Sequence, residues 1–502
     1  MGHSGAGGRS TASGVSTSEV IIILAICGLV FLANVATSML YPVLWMDEVM
    51  FSDPAVRLAI GKGFTSTFWP MRSADALFIG YVPLYPLILS VWFRIGHVAP
   101  EWERTLNYCL ITLTALAGWW AIVRAKLFGS GIQRVLLVCL ILFGYGISFS
   151  YRSRGADTLM AFLVVIVVLA STIVRPGPRR VALVLLSALL PLAGLPLLLL
   201  GAALLFLLAV FCSKKYRLDL FAVLIGLGLG VIALLGFYYA VGALDDVFNS
   251  TRGHMSESLL RSIFNRAPYH HANNIPKDPS FTALFLMGVI LVGLTVRRAK
   301  GEWRTPLVFG LTAATVIPLT LMLFGKFPTY YAWMAYLPLA VGVLSAYPVN
   351  GEPRWRKQLF LASVVAVCLV GLPFQLALAV YTRADHDYGS VRRALEQTIR
   401  PDDSVYCDYA AYYVAVGRAR EVIGPMHLDT ITTSERSRLS LVIVDPDSEG
   451  PVLTALGGHW QRIGPATEPS TQMLTKGVLV RDLRFGLFDK IYRLRAYRRD
   501  GL

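Results

Sequence analysis

Long apolar runs follow one another along most of this 502-residue chain and constrain its fold more than any other feature. A run of roughly 20 apolar residues can cross a bilayer as an α-helix. Because a backbone in lipid must satisfy its own hydrogen bonds, the runs predict a polytopic α-helical membrane protein. About eleven transmembrane helices are expected, at 20–41, 105–123, 135–150, 158–174, 181–193, 195–212, 220–241, 281–296, 306–324, 331–346 and 359–381.

Basic residues are concentrated in short loops between these runs. The net charge of +15 could indicate a nucleic-acid partner, but the cytoplasmic loops of membrane proteins carry the same excess of Lys and Arg. We therefore expect membrane lipids, and no nucleic acid, around the chain. The positive-inside rule assigns to the cytoplasm five basic loops, at 124–134, 175–180, 214–217, 297–304 and 354–357. This predicts a multi-pass protein of the cytoplasmic (inner) membrane.

Composition divides the chain into three parts. Residues 1–19 are rich in Gly and Ser and are predicted to be a disordered cytoplasmic N-terminus. Residues 20–381 form the predicted membrane domain. Residues 382–502 are predicted to fold as a small soluble α/β domain outside the cell membrane, with a helix at 391–399 and strands at 405–409, 439–444 and 478–483. The six cysteines have no paired spacing, so neither a disulfide framework nor a zinc knuckle is indicated.

The segment 78–98 leaves two topologies open. It is apolar enough to cross the membrane, but it contains Pro83, Pro86, Arg94 and His97. If it crosses, the N-terminus lies outside and Asp47 lies opposite Asp157. If it forms a surface helix within a large first outer loop, 42–104, both acids lie on the outer side. We favour the surface helix, because an interfacial helix with a cationic edge is physically reasonable and keeps the two acids together.

Acidic residues stand at the outer ends of the apolar runs. Asp47 and Glu48 follow the first run, and Asp157 follows the basic patch 151–154. Carboxylates at a membrane surface are costly to keep and are often functional. Asp47 could act as a general base toward an acceptor hydroxyl or amine, with cations neutralising a lipid-phosphate leaving group. The candidate cations are Arg152, Arg154 and Lys326. The alternative is that Asp47 and Glu48 are only solvated acids at a helix end.

Four short motifs follow in order along the membrane portion. They are Leu-Trp-Met-Asp-Glu at 44–48, Gly-Tyr-Val-Pro-Leu-Tyr-Pro-Leu at 80–87, Arg-Ser-Arg-Gly-Ala-Asp at 152–157, and Gly-Lys-Phe-Pro-Thr-Tyr-Tyr at 325–331, which leads to Tyr-Leu-Pro-Leu at 336–339. In this order the chain resembles the lipid-phosphate-sugar-dependent glycosyltransferases of the GT-C superfamily, which include the protein O-mannosyltransferases and the aminoarabinose transferases of lipid A. The resemblance extends from Trp45 to about Ala346 and does not cover the tail.

The resemblance implies a GT-C type fold and an enzyme of the cell envelope. Such an enzyme moves a hexosyl or pentosyl group from a polyprenyl-phosphate donor to a glycan, lipid or protein acceptor on the outer face, with inversion. By this likeness Asp47 is the catalytic base, Glu48 shapes the site and Asp157 orients the acceptor or a metal. The carrier phosphate is held by Lys326 and Tyr331 with Arg152 or Arg154. The remaining substrate-binding candidates are Tyr81, Tyr330 and His270.

One departure from the family concerns the donor phosphate. Relatives often carry a Lys just before the Pro-Leu motif, where this chain has Phe-Ile-Gly-Tyr at 78–81. The phosphate contact then comes from elsewhere, or the donor differs. No cofactor is firmly implied. A divalent metal is an open alternative, but the pair His270-His271 lacks evident further ligands, and we favour surface histidines there.

Two other functions compete with the transferase. A transporter or flippase of a lipid-linked or envelope precursor would place polar groups near the bilayer midplane, in broken helices repeated across two halves. The predicted spans are nearly free of ionisable residues, and no second half repeats the first. A scaffold or sensor that displays the tail would not need eleven spans. The transferase is therefore the favoured interpretation.

Overall fold

The computed structural model describes residues 14–69, 75–211, 216–254, 277–296, 304–323, 329–348, 352–381, 383, 386–463 and 492–500. This described part of the chain is mostly helical, at 72%. Within these residues, five helices are long and apolar enough to cross a membrane, or seven if each of two bent pairs is one span. This confirms the helical membrane protein, while the total of eleven spans stays a prediction.

Each predicted apolar run coincides with a helix or with a pair of consecutive helices. The helices up to residue 381 are α1 (Thr17–Thr37), α2 (Met46–Ala59), α3 (Leu84–Ile95), α4 (Pro100–Ala125), α5 (Gly131–Phe143), α6 (Tyr145–Ser153), α7 (Gly155–Ser171), α8 (Pro176–Ala188), α9 (Leu190–Ala193), α10 (Pro196–Phe211), α11 (Arg217–Ala240), α12 (Leu244–His254), α13 (Pro279–Val296), α14 (Arg304–Leu323), α15 (Trp333–Ser345), α16 (Arg354–Leu369) and α17 (Leu372–Tyr381). A short 3₁₀ helix, Thr329–Ala332, leads into α15.

The segment 42–104, predicted as the first outer loop, contains two helices, α2 and α3, that pack against each other and against α4 and α7. Helix α3 has 12 residues, which span about 18 Å at 1.5 Å per residue. It buries Tyr85, Leu89 and Phe93 and exposes Leu87, Val91 and Ile95. A helix of this length is shorter than the hydrocarbon core of about 30 Å.

The apolar run predicted at 135–150 is broken into α5 and α6, which meet at Gly144 with a bend of 50°. Backbone groups freed by a break must find other partners. The Tyr145 amide donates to Ser280 Oγ over 3.0 Å, the Gly146 amide donates to Asp278 Oδ2 over 3.1 Å, and Gln375 Nε2 donates to the Tyr145 carbonyl over 3.1 Å. The bend turns the end of α6, with the adjoining Arg154, toward α1 and α2.

The second broken pair, α16 and α17, bends by 40° beside the first. A Cβ at Gly371 would collide with the Phe143 carbonyl oxygen, so the two bends pack directly on each other. Because only a residue without a side chain fits there, Gly371 allows the two broken helices to touch at their bends.

The chain after residue 386 forms an α/β unit, which we call the C-terminal unit (residues 386–463 and 492–500). Its sheet has the order β2-β1-β3-β5-β4, with β1 parallel to β2 and β3, and β5 antiparallel to β3 and β4. Its elements are α18 (Tyr388–Thr398), β1 (Ser404–Cys407), α19 (Tyr412–Arg418), β2 (Glu421–Ile423), α20 (Thr433–Arg438), β3 (Leu441–Val444), α21 (Glu449–Leu456), β4 (Trp460–Ile463) and β5 (Arg495–Arg499).

The elements expected at 391–399, 405–409 and 439–444 occur as α18, β1 and β3 with small shifts of their ends. The strand expected at 478–483 lies outside the described residues. In β1 and β3 every residue is buried, as for strands in the interior of a sheet covered on both faces.

The C-terminal unit docks on the segment 42–104 through the carboxyl ends of its parallel strands. After β2, the Gly424 amide donates to the Thr67 carbonyl over 3.0 Å, and the Phe68 ring occupies the space that a Cβ at Gly424 would need. After β1, the rings of Tyr409 and Tyr412 lie 6.0 and 4.7 Å from that of Phe68. The two parts share one continuous hydrophobic core.

Candidate active site

Helix α2 places Asp47 at the surface of an otherwise buried segment. Trp45 occupies the N-cap position, and its indole Nε1 donates to the Ser153 carbonyl over 3.1 Å. Residues Glu48 to Val56 are all buried, whereas the Asp47 side chain is 16% exposed. A carboxylate in the first turn of a helix is favoured by the positive end of the helix dipole. Asp47 is therefore a fixed carboxylate with access to solvent.

Arg154 joins Asp47 to Asp157. It lies at the junction of α6 and α7, where its Nε is 3.0 Å from Asp47 Oδ2 and its Nη1 is 3.5 Å from Asp157 Oδ2. The Arg154 side chain is 7% exposed and that of Asp157 is 1% exposed. The guanidinium also lies over the rings of Phe51, at 5.7 Å, and Tyr331, at 5.6 Å. Two acids predicted from separate motifs thus meet on one cation.

Glu48 faces away from this site. Its carboxylate accepts two hydrogen bonds from Arg104, over 2.6 Å from Nε and 2.7 Å from Nη2, and both side chains are fully buried or nearly so. Arg104 also donates to the carbonyls of Ser38 and Pro42. The pair fastens α2 to α4 and to the end of α1. Removing one partner of such a pair leaves a buried charge and costs about 3–5 kcal/mol.

Arg152 and Arg154, which the sequence could not separate, have different surroundings. Arg152 is completely buried and donates to Asn34 Oδ1 and to the carbonyls of Thr37 and Tyr41 at the end of α1. It holds α6 against α1. Arg154 is the arginine that lies at the two acids.

Aromatic side chains line the approach to Arg154. The Tyr81 ring packs edge-on against the Phe51 ring, with the two ring centres 4.9 Å apart. The Phe51 ring therefore separates Tyr81, a substrate-binding candidate, from the Arg154 guanidinium. Tyr331 contacts Arg154 directly. Tyr330 belongs to the 3₁₀ helix Thr329–Ala332, but its side chain lies outside the described part of the chain, as do Lys326 and His270 altogether. Those three assignments stay predictions.

The geometry adds residues that the sequence argument missed. Phe51 lies four positions after Asp47, a spacing that puts both on one face of a helix, so helical periodicity could have identified it. Ser52 and Asp53 follow it and bond to neighbouring segments. Tyr412 and Tyr413 approach α2 from the C-terminal unit, and no local pattern signals a contact over more than 300 residues.

Among the described residues, no three His, Cys, Asp or Glu side chains are grouped so that they could hold a metal ion. The Arg154 guanidinium lies between Asp47 and Asp157 and contributes a positive charge to these acids.

No protein-family model and no curated protein matches the sequence. Among solved structures, ArnT from Cupriavidus metallidurans bound to undecaprenyl phosphate aligns with 96% of this chain and 98% of its own, at a TM-score of 0.55 and 12% identity. The chain has the GT-C fold. Its apolar helices and this fold make it an integral membrane protein.

Two other GT-C structures align less well. The arabinofuranosyltransferase AftD from Mycobacteria aligns with 98% of this chain but 40% of its own length, at a TM-score of 0.48 and 14% identity. The Archaeoglobus fulgidus oligosaccharyltransferase, in complex with Zn and sulfate, aligns with 86% of this chain and 69% of its own, at a TM-score of 0.46 and 13% identity. At such identities the likeness concerns the fold and not the substrate.

Proposed function

We propose that this protein is an inverting membrane glycosyltransferase that moves a sugar from a polyprenyl-phosphate donor to an acceptor on the outer face of the membrane. The observation that carries the proposal is the Asp47–Arg154–Asp157 cluster at the first turn of α2, inside a GT-C fold. The bound undecaprenyl phosphate of the ArnT structure supports a lipid-phosphate donor.

The reaction needs a base and a stabilised leaving group. An acceptor oxygen or nitrogen attacks the anomeric carbon and gives its proton to the Asp47 carboxylate, while the bond from that carbon to the phosphate oxygen breaks. The electron pair leaves on the polyprenyl phosphate, and the configuration inverts. Arg154 neutralises the charge that develops there, and Tyr331, whose phenol is protonated near neutral pH, donates a hydrogen bond. Lys326 remains a predicted contributor.

Arg154 also controls the availability of the base. In the described site its Nε is paired with Asp47, so the guanidinium occupies one oxygen of that carboxylate. An arriving donor phosphate competes for the same guanidinium and frees Asp47, while Asp157 continues to hold Arg154 from the buried side. Donor binding therefore prepares the base before the acceptor reacts.

The same cluster supports one arrangement in the membrane. Because one arginine contacts both Asp47 and Asp157, the topology that puts them on opposite sides is disfavoured. The short length of α3 supports a surface helix within the first outer loop. We infer eleven spans over residues 20–381, with the N-terminus inside and the site and C-terminal unit outside.

The test compares lipid extracts from cells with the native gene, an Asp47→Asn variant, an Asp402→Asn control or no gene. Asp402 is exposed and lies in the C-terminal unit. We expect mass spectrometry to find a polyprenyl-phosphate sugar that accumulates with Asp47→Asn and in the null, but not with the control. Unchanged extracts at normal levels of the Asp47→Asn protein would contradict the proposal.

One observation favours the alternative of a transporter or flippase. The two broken helix pairs meet with buried Asp278 beside them, and discontinuous helices with polar groups are typical of transport sites. In this chain, however, Asp278 accepts hydrogen bonds from the Gly146 and Phe281 amides, so its carboxylate is used to cap helix ends. A transporter would keep its activity in the Asp47→Asn variant.

A further inference from the structure

Three tyrosine hydroxyls of the C-terminal unit bond to the segment that carries Asp47 or to the neighbouring helix α4. Tyr492 Oη accepts a hydrogen bond from the Leu44 amide over 3.0 Å, just before α2. Tyr412 Oη donates to Asp53 Oδ1 over 3.0 Å, within α2. Tyr413 Oη donates to Glu103 Oε2, in the first turn of α4. Two of these contacts thus flank Asp47 in the sequence, three residues before it and six after it.

Glu103 transmits the Tyr413 contact to α2. Its Oε2 also accepts a hydrogen bond from Ser52 of α2 over 2.5 Å, and its Oε1 accepts one from Tyr85 of α3 over 3.2 Å. Glu103 is completely buried, and its chain neighbour Arg104 forms the pair with Glu48. The consecutive α4 residues Glu103 and Arg104 therefore bond to Ser52 and Glu48 of α2. Tyr413 bonds to the first of these two, Glu103.

Asp53 links the same unit to α2 from the other side. It is 1% exposed and also accepts hydrogen bonds from Ser66 Oγ over 2.6 Å and from the Thr67 amide over 2.8 Å. Burial raises the pKa of Asp53, and its hydrogen bonds together with the charge of Arg57 act in the opposite direction. The Tyr412 hydroxyl is thus part of a fully buried polar network, in which a lost bond is costly.

The C-terminal unit also packs directly on the loop that carries Asp47. The Tyr409 ring lies 6.0 Å from that of Phe68 in the first outer loop. Burial and the charges of Asp408 and Asp47 raise the pKa of Tyr409. The face of the unit that bears the tyrosine contacts is therefore turned toward this loop.

We propose that the C-terminal unit fixes the position of the catalytic carboxylate, with the hydroxyls of Tyr412 and Tyr413 as positioning groups that act through α2. This rests on the proposed function, in which Asp47 is the base. A displacement of about 1 Å in a reacting group can cost about 100-fold in rate. The unit is therefore a component of catalysis, in addition to any contact it makes with the acceptor.

The experiment removes hydroxyls and keeps the rings. The full-length protein carries Tyr412→Phe, Tyr413→Phe or both, and the matched control is Tyr388→Phe. Tyr388 is 1% exposed in the same unit, and its hydroxyl has no hydrogen-bond partner within the described ranges. Turnover is measured with the polyprenyl-phosphate sugar isolated from null cells, and undecaprenyl phosphate serves as the probe of donor-site binding.

We expect the double variant to lower kcat at least tenfold, while KM for the donor and the affinity for undecaprenyl phosphate stay within twofold of native. The control keeps native kcat. A native kcat in the double variant would overturn the inference, as would an equal loss in the control or a loss explained by weaker phosphate binding.

An Asp47→Asn arm separates this inference from the proposed function. An active Asp47→Asn enzyme would remove the basis of both. An inactive Asp47→Asn enzyme together with a fully active double tyrosine variant would overturn only the positioning role.

Discussion

At the scale of single residues, the guanidinium of Arg154 is balanced by two carboxylates, which is what permits a cation to be buried there. Its planar fork can contact Asp47 and Asp157 at once and still lie over two aromatic rings. A lysine ammonium is a compact point charge without these contacts. The site therefore depends on the shape of this cation as well as on its charge.

Replacing Arg154 tests this dependence. We expect Arg154→Lys to lower turnover at least tenfold and Arg154→Gln to lower it further, because the first loses the fork and the second also loses the charge. Turnover with the isolated donor is the measurement, and Arg393→Lys, at an exposed position of α18, is the control. Native turnover in Arg154→Lys would show that charge alone suffices.

Arg152 and Arg154 show where sequence reasoning stopped. The motif containing them was identified, and the structure pairs Arg154 with both Asp47 and Asp157, whose roles stay predictions. Side chains of residues i and i+2 on a helix point about 200° apart, so only one of these two arginines can face a given neighbour. Which one does so depends on the junction between α6 and α7, and no local pattern in the sequence marks that junction.

At the scale of elements, α3 and α7 meet at Gly155. The place of a Cβ on this residue is filled by the Tyr85 hydroxyl and ring, and Asn107 of α4 lies beside it. The Tyr85 hydroxyl in turn bonds to Glu103. Gly155 thus lets α3 touch the start of α7, the helix that carries Asp157.

A methyl group at this contact has a predictable effect. Gly155→Ala should lower the free energy of unfolding by about 1–3 kcal/mol, because Tyr85 must move and α7 shifts with it. Gly177→Ala is the control, since Gly177 lies near the start of α8 with open space around its Cβ position. Thermal unfolding in detergent measures both, and equal melting temperatures would refute the close contact.

The bend at Gly144 was not anticipated, although the run 135–150 was correctly assigned as helical. The apolar run continues past Gly144 and Gly146, which permit a break but do not require one. The groups that make the bend possible, Asp278, Ser280 and Gln375, lie more than 130 residues later in the chain. A break that distant side chains support cannot be read from the apolar run itself, and α6 points to the site only because of that break.

At the scale of the whole molecule, the C-terminal unit and the membrane part share one core, so the stability of the unit supports the site. Within the unit, Arg498 of β5 forms an ion pair with Asp403, and its Nη1 lies 2.8 Å from Asp403 Oδ1. Burial alone would raise the pKa of Asp403, but the hydrogen bonds from Arg498, the Arg400 amide and Ser440, with the charge of Arg498, lower it. The Asp403 carboxylate is therefore stabilised in its ionised form.

The lowered pKa of Asp403 makes the stability of the fold depend on pH. A carboxyl group whose pKa is lower in the folded state contributes stability above its unfolded value, about 3.9, and loses it as the pH falls through the folded value. We expect the melting temperature of native protein to fall more steeply below about pH 4 than that of Asp403→Asn, which starts lower at neutral pH. Parallel profiles of melting temperature against pH would contradict this.

The contact between Tyr492 and Leu44 has a consequence for how the protein matures. The two residues are 448 positions apart, a stretch that takes roughly 20–90 s to synthesise at 5–20 residues per second. Asp53 and Glu103 gain the hydroxyls of Tyr412 and Tyr413 only after 359 and 310 further residues have been made, and Leu44 gains that of Tyr492 later still. The surroundings of the helix that carries Asp47 are therefore completed only once the C-terminal unit has been synthesised.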